Sequence, residues 1–127
     1  MALPIFLCDD DSVLVQYYKS VIENWIMIND YDMELIFATT DPDDIFLYLK
    51  KNSITNCLFF LDIDLGTHLD GIDIAQQIRR DNEFAQIVFI TSHQELAIKT
   101  LQRQISPLNY IVKDSQTEKN QIQKVLN

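Results

Sequence analysis

Glycine and proline are scarce, at two and three residues in a chain of 127. Flexible linkers and low-complexity spacers draw on both, so the sequence shows no internal boundary and reads as one domain over residues 1–127. The two cysteines, Cys8 and Cys57, each lie inside an apolar run, which excludes a disulfide-dense scaffold and reads as two buried free thiols. No run approaches the ~18 apolar residues of a membrane span. The opening Met1-Ala2-Leu3-Pro4 has no basic flank of a signal peptide, so a soluble, cytoplasmic domain with no membrane contact is expected. Basic residues are also few: 10 Lys and Arg against 19 Asp and Glu give a net charge of −9. Phosphate contacts need clustered cations, so this charge argues against nucleic-acid binding by the chain itself.

What is present is a core and a peculiar set of acids. Hydrophobic residues make up 47% of the chain, enough for a packed interior. Of the 19 acids, 14 are Asp and 5 are Glu. Asp is the poorer helix former and favours caps, turns and metal sites, so the skew suggests placed carboxylates rather than solvated helix faces.

Apolar runs of strand length alternate with helix-period segments. Strands are expected at Ile5–Cys8, Met33–Ala38, Cys57–Leu61, Ile87–Ile90 and Leu108–Val112. Between them, Leu14, Tyr17, Tyr18, Val21, Ile22 and Trp25 follow one helix face. Asp41-Pro42 opens a second helix with a cap and a first-turn proline, and Ile74, Ala75 and Ile78 mark a third. Ser92-His93-Gln94-Glu95 and Ser115-Gln116-Thr117-Glu118 both have capping-box spacing and open a fourth and a fifth. Five strands alternating with five helices predict an α/β fold: a five-stranded parallel sheet, doubly wound with helices on both faces and strand order 2-1-3-4-5. In such flavodoxin-like sheets the site lies beyond the carboxyl ends of the strands.

The most chemically loaded residues sit at those ends. Asp9-Asp10-Asp11 follows the first strand, Asp62-Ile63-Asp64 the third, Thr91-Ser92 the fourth and Lys113-Asp114 the fifth. Taken singly, each has an ordinary reading: a helix cap, a loop carboxylate, a strand end, a surface cation. Their recurrence at four strand ends favours a shared site. Asp9, Asp10 and Asp62 brought together would repel, and a hard divalent cation, Mg²⁺, relieves this while bridging to phosphate oxygens. The Lys113 ammonium and the Thr91 hydroxyl form an oxyanion cradle. Asp62, emerging from the most buried strand, is the candidate nucleophile for an aspartyl-phosphate.

With these residues in place, the chain resembles response-regulator receiver domains along its whole length. Phe60-Leu61-Asp62-Ile63-Asp64, Phe89-Ile90-Thr91-Ser92-His93 and the absence of Pro after Lys113 resemble, more narrowly, the AgrA/ComE (LytTR-type) peptide-quorum-sensing regulators. The resemblance implies a CheY-like fold and a phosphoacceptor signalling domain rather than an enzyme with a separate substrate. It implies that a membrane histidine kinase donates phosphate to Asp62. Mg²⁺ would be held by Asp9, Asp10, Asp62 and the backbone carbonyl of Asp64. Tyr110 falls where receivers place an aromatic that moves inward on activation, into space that Thr91 vacates. The phosphorylated form would dimerise and release an attached C-terminal DNA-binding domain, the receiver being one part of a longer regulator controlling transcription. Residues 94–127, which include the fifth strand and last helix, carry +2 while residues 1–93 carry −11, in keeping with a contact face away from the acidic site.

The chain departs from that family in two places. Most receivers follow the lysine with a cis proline, whereas Asp114 stands here. The loop from Asp62 to Gly71 lacks the usual proline and is about one residue longer, with Thr67-His68-Leu69 inserted. Neither His68 nor His93 is assigned a role. Two other functions compete. A haloacid-dehalogenase-like phosphatase also uses Asp-x-Asp, Thr or Ser, Lys and Mg²⁺, but its Asp-x-Asp follows the first strand, and Gly66 stands where its Thr is expected. A receiver-like module that binds partners without phosphorylation usually loses one of the acids or the lysine, all of which are kept here.

Overall fold

A computed structural model describes the chain except residues 1, 53, 55, 64–69, 93–99, 101 and 115. Nine elements follow in order: β1 (Leu3–Cys8), α1 (Ser12–Asn29), β2 (Met33–Thr39), α2 (Pro42–Lys51), β3 (Leu58–Leu61), α3 (Gly71–Asp81), β4 (Gln86–Thr91), β5 (Asn109–Val112) and α4 (Glu118–Leu126). The strands form one parallel sheet in the expected order, β2-β1-β3-β4-β5. Four of the five expected helices lie among the described residues; the one expected after Ser92 falls largely outside them. No helix of the described residues is long and apolar enough to cross a membrane.

Because strand side chains alternate, the central strands feed two cores. Phe6, Phe59, Leu61 and Phe89 point to the face covered by α2 and α3, where Ile45, Ile72, Ala75 and Ile78 complete one cluster. Ile5, Leu7, Phe60, Val88 and Ile111 point to the other face, against Tyr18 and Ile22 of α1 and Ile122 and Leu126 of α4. Burial on both faces is why β3 reads as an unbroken apolar run. Both cysteines are buried free thiols, and burial pushes Cys8 up to about 12 and Cys57 up to about 11, so neither is a ready nucleophile.

Register brings the strand ends level. Cys8 pairs with Leu61, Leu61 with Phe89, and Thr91 with Val112. The residues that follow these pairs therefore emerge along one edge.

Local chemistry explains where the elements begin. Asp11 caps α1, accepting from the Val13 and Leu14 amides at 2.9 and 3.4 Å. Asp41 caps α2 with Pro42 in its first turn, as expected. α3 has a reciprocal capping box, Asp70 with Asp73, that the sequence spacing of Asp-x-x-Asp announces only weakly.

One expectation needs correction. The buried stripe of α1 is Val15, Tyr18, Val21 and Ile22, while Tyr17 stands half exposed; the helix is rotated so that Val15 takes the inward place. The capping box expected at Ser115–Glu118 rests on Ser115, which lies outside the described residues; α4 starts at Glu118, and Thr117 makes no side-chain cap bond. Asp114 instead gathers the Gln116 and Thr117 amides and the Thr117 hydroxyl, and the Glu118 carboxylate turns inward. Finally, the shortage of glycine has a structural consequence. α1 ends with Asp30 in the left-handed region at φ 53°, and Gln104 and Ser106 take φ of 56° and 53°.

Candidate functional site

The site is assembled by strand termination. β1 ends at Cys8, and Asp9 is held in place by its amide, which donates to Thr39 O at 3.2 Å, and by its Oδ1, which accepts from the Asp11 amide at 2.9 Å. β3 ends at Leu61, and the Asp62 amide donates to Cys8 O at 3.0 Å, which fixes the two acids side by side. β5 ends at Val112, and the Lys113 amide donates to Thr91 O at 3.0 Å. Each chemistry-bearing residue is thus tied by its backbone to the neighbouring strand.

The side chains converge as the sequence demands. Lys113 Nζ lies 2.8 Å from Asp9 Oδ2 and 2.9 Å from Asp62 Oδ2. Carboxylate oxygens of Asp9, Asp10 and Asp62 lie within 4.8 Å of one another. Asp9, Asp62 and Thr91 are buried, and Asp10 is exposed at the mouth. One ammonium therefore faces three carboxylates.

Electrostatics follow from that arithmetic. Burial pushes Asp62 above the ordinary carboxylate range, with the Lys113 hydrogen bond and charge and the Thr91 hydroxyl pulling it partly back. Asp9 is likewise raised by burial, against the pull of Lys113 and the Asp11 amide. For Lys113 burial acts to lower the ammonium's pKa, but its two carboxylate partners outweigh it and the net direction is up. Asp9 Oδ2 is buried and ion-paired with Lys113, and among the described residues it has no hydrogen bond of good geometry. A buried anionic oxygen without a hydrogen bond, in a group of three hard oxygen donors, is what a Mg²⁺ ligand set looks like before the ion. The donor set fits the cation.

Tyr110 on β5 is half-buried and packs against Phe89 of β4, ring centroids 5.8 Å apart, on the α2/α3 face of the sheet. Phe89 precedes Thr91 by two residues, so Tyr110 and Thr91 sit on neighbouring strands close to the same edge. Asp64, His68 and His93 lie outside the described residues. The Lys113-Asp114 peptide, which departs from the family pattern, is trans: the described residues include no cis bond.

The model of the response regulator receiver domain family matches residues 5–127. The chain belongs to the response-regulator receiver family. Among curated proteins, this receiver is 36% identical over 116 residues to accessory gene regulator protein A of Staphylococcus epidermidis, and 34% identical to its Staphylococcus aureus counterpart. Each match covers 91% of this chain but 48% of the relative, so the chain spans about half the length of the curated relatives it matches. The response regulatory domain of protein mrkE from Klebsiella pneumoniae superposes with TM-score 0.79 at 26% identity, covering 98% of this chain and 92% of the other. The response regulator TrrA of Thermotoga maritima, solved in complex with Mg²⁺-BeF, shares the fold at TM-score 0.71 and 17% identity, covering 97% and 98%. The haloacid-dehalogenase-like alternative gives way to this membership.

Two residues of the receiver's site escape sequence reasoning. A Cβ on Gly71 would stand 1.9 Å from the Asp62 carbonyl oxygen, so only glycine lets α3 approach the Asp62 backbone. The signal is faint, since Asp70-Gly71 reads as an ordinary turn. Glu118 is the second. Its carboxylate is buried, accepts from the Tyr18 hydroxyl, and lies next to the Lys113 loop. As an acid in a first helical turn it looks like a dipole complement, and only the fold reveals the partner.

Proposed function

We propose that Asp62 is the phosphoacceptor of a two-component receiver, with Asp9, Asp10 and Lys113 as its supporting groups and Thr91 and Tyr110 as its switch. The observation that carries this reading is the single Lys113 ammonium in contact with two buried carboxylates, beside a third.

Mg²⁺ at Asp9, Asp10 and Asp62 would neutralise carboxylates and phosphoryl oxygens as charge builds. The Asp64 carbonyl is a further proposed ligand. Asp62 is fixed through its backbone to β1, so its carboxylate meets the phosphorus of a phosphodonor in a defined direction. One of its oxygens forms the new O–P bond, and the donor's leaving group departs with the electron pair of the bond that breaks. The Lys113 ammonium, paired with Asp62 and Asp9 beforehand, shifts toward the equatorial phosphoryl oxygens. The buried Thr91 hydroxyl then turns from the Asp62 carboxylate to the attached phosphoryl group. That movement leaves room on the edge of the sheet for the half-buried Tyr110 ring, altering the surface formed by β5, α4 and the segment between β4 and β5.

The reaction is stoichiometric: the domain promotes its own phosphorylation and dephosphorylation. The donor in this reading is a membrane sensor histidine kinase. The altered surface pairs two receivers, and a DNA-binding segment of a longer regulator acts at promoters. Support for that larger role is the name of the accessory gene regulator relatives and the 48% of their length that this chain spans; the reading extends to quorum sensing.

Chemistry of the adduct tests the proposal. Acetyl phosphate with Mg²⁺ should add one phosphoryl group per chain, and neutral hydroxylamine should remove it, as it does any acyl phosphate. A hydroxylamine-stable adduct, or continuous turnover of a phosphate ester, would contradict the proposal.

A further inference from the structure

The segment after Lys113 is braced from inside the molecule. Lys113 sits between two peptide groups, and both are held. Its own amide donates to Thr91 O on β4 at 3.0 Å. The next amide, that of Asp114, donates to Glu118 Oε1 at 3.2 Å. The other oxygen of Glu118, Oε2, accepts from the hydroxyl of Tyr18, a fully buried residue of α1. Fixing the two peptide planes that flank a residue fixes its φ and ψ, and so the direction in which its side chain leaves the backbone. For Lys113 that direction carries Nζ to both Asp9 and Asp62.

A carboxylate buried in a helix interface is costly to desolvate and is retained where its hydrogen bonds serve something. Glu118 spends one oxygen on α1 and the other on the peptide that follows the site lysine. The loop amides of Gln116 and Thr117 are taken by Asp114 at 3.0 and 2.9 Å, so Glu118 does not serve them. Nor is it exposed to a solvent cation, being buried beneath the loop.

We infer that Tyr18 and Glu118 are positioning residues for phosphoryl transfer: they lock the Lys113-Asp114 peptide so that the Lys113 ammonium is held over Asp62. Neither touches the phosphoryl group. The inference rests on the phosphoacceptor role proposed for Asp62.

The test compares the parent chain with Tyr18→Phe, Glu118→Ala, Glu118→Gln and Asp62→Asn. Intact mass gives the rate of adduct formation over a range of phosphoramidate concentrations with Mg²⁺, and hydrogen exchange reports the Asp114 amide. In Glu118→Ala the maximal rate should fall about tenfold with little change in half-saturating donor, because a misaimed lysine weakens the transition state more than the encounter. The Asp114 amide should exchange about tenfold faster, having lost its acceptor. Glu118→Gln keeps an acceptor for that amide and should recover to within about twofold of the parent. Tyr18→Phe keeps the packed ring and should still lose about threefold in maximal rate, which preserves the test if Glu118→Ala does not fold. A parent-like rate in Tyr18→Phe together with parent-like or absent data for Glu118→Ala would overturn the inference. So would a folded Glu118→Gln as slow as the alanine variant. Failure of the parent itself to take up phosphate, or uptake that persists in Asp62→Asn, would instead defeat the phosphoacceptor reading beneath it.

Discussion

At the scale of single residues, two buried carboxylates share one ammonium, so Lys113 leaves one negative charge uncompensated. Asp9 is the member to neutralise, because among the described residues its buried Oδ2 has the Lys113 ion pair but no hydrogen bond of good geometry. In metal-free buffer Asp9→Asn should therefore leave stability unchanged or raise it by about 1 kcal/mol. Adding Mg²⁺ should raise the Tm of the parent and not that of the variant. The same burial sets a pH dependence. Asp9 and Asp62 have pKa values raised on folding, so above the ordinary carboxylate range the native state binds more protons than the unfolded chain. Stability then rises as pH falls from neutrality into that window. Asp73, lowered chiefly by its hydrogen bond from Arg103, and Asp114, lowered by the Thr117 and Gln116 amides, act in the opposite sense and lose their contribution only at more acidic pH. Metal-free thermal melts should accordingly show a maximum on the mildly acidic side of neutral, and saturating Mg²⁺ should flatten the slope between that maximum and pH 7. A monotonic loss of stability from pH 7 downward would contradict this account. Asp9, Asp62, Thr91 and Lys113 were legible because each polar residue terminates an apolar run, and the sheet topology brings such termini to one edge. Glu118 and Gly71 were not, because the first needs a partner 100 residues away and the second a backbone that only packing delivers.

At the scale of elements, α3 is set against the site by the absence of a side chain. The Gly71 amide donates to Ile63 O at 2.7 Å, and a methyl group at Gly71 would press into the Asp62 carbonyl. Gly71→Ala should cost about 2–3 kcal/mol in denaturant unfolding and slow phosphorylation by displacing Asp62. A fully stable, fully active alanine variant would show that α3 can retreat without disturbing the acid. The end of α1 offers the opposite case. Asp30 takes a left-handed conformation and brings an acid to the negative end of a helix. Asp30→Gly should stabilise the chain by up to about 1 kcal/mol, read as a higher denaturant midpoint with unchanged slope. Strands were legible at this scale because residues buried on both faces leave unbroken apolar runs. Helix faces were less so: Tyr17 fits the 3.6-residue period, yet it lies one position outside the stripe that reaches the sheet. At the start of α4, Asp114, a site-loop residue, gathers the Gln116 and Thr117 amides, a partnership that no sequence spacing announces.

At the scale of the whole molecule, a doubly wound sheet holds the acidic edge between two separate cores, one against α2 and α3 and the other against α1 and α4. Strand order was readable because alternating strands and helices leave few topologies for a chain this short. The scarcity of glycine accompanies positive φ at Asp30, Gln104 and Ser106, and the excess of Asp resolves into three site carboxylates and a set of caps. On the reading proposed above, this architecture presents one carboxylate, Asp62, to a phosphodonor. Intact mass spectrometry after incubation with acetyl phosphate and Mg²⁺ tests it most directly, on the parent chain and on Asp62→Asn. The account predicts a single added phosphoryl group on the parent and none on the variant. An adduct of equal yield on Asp62→Asn would contradict it.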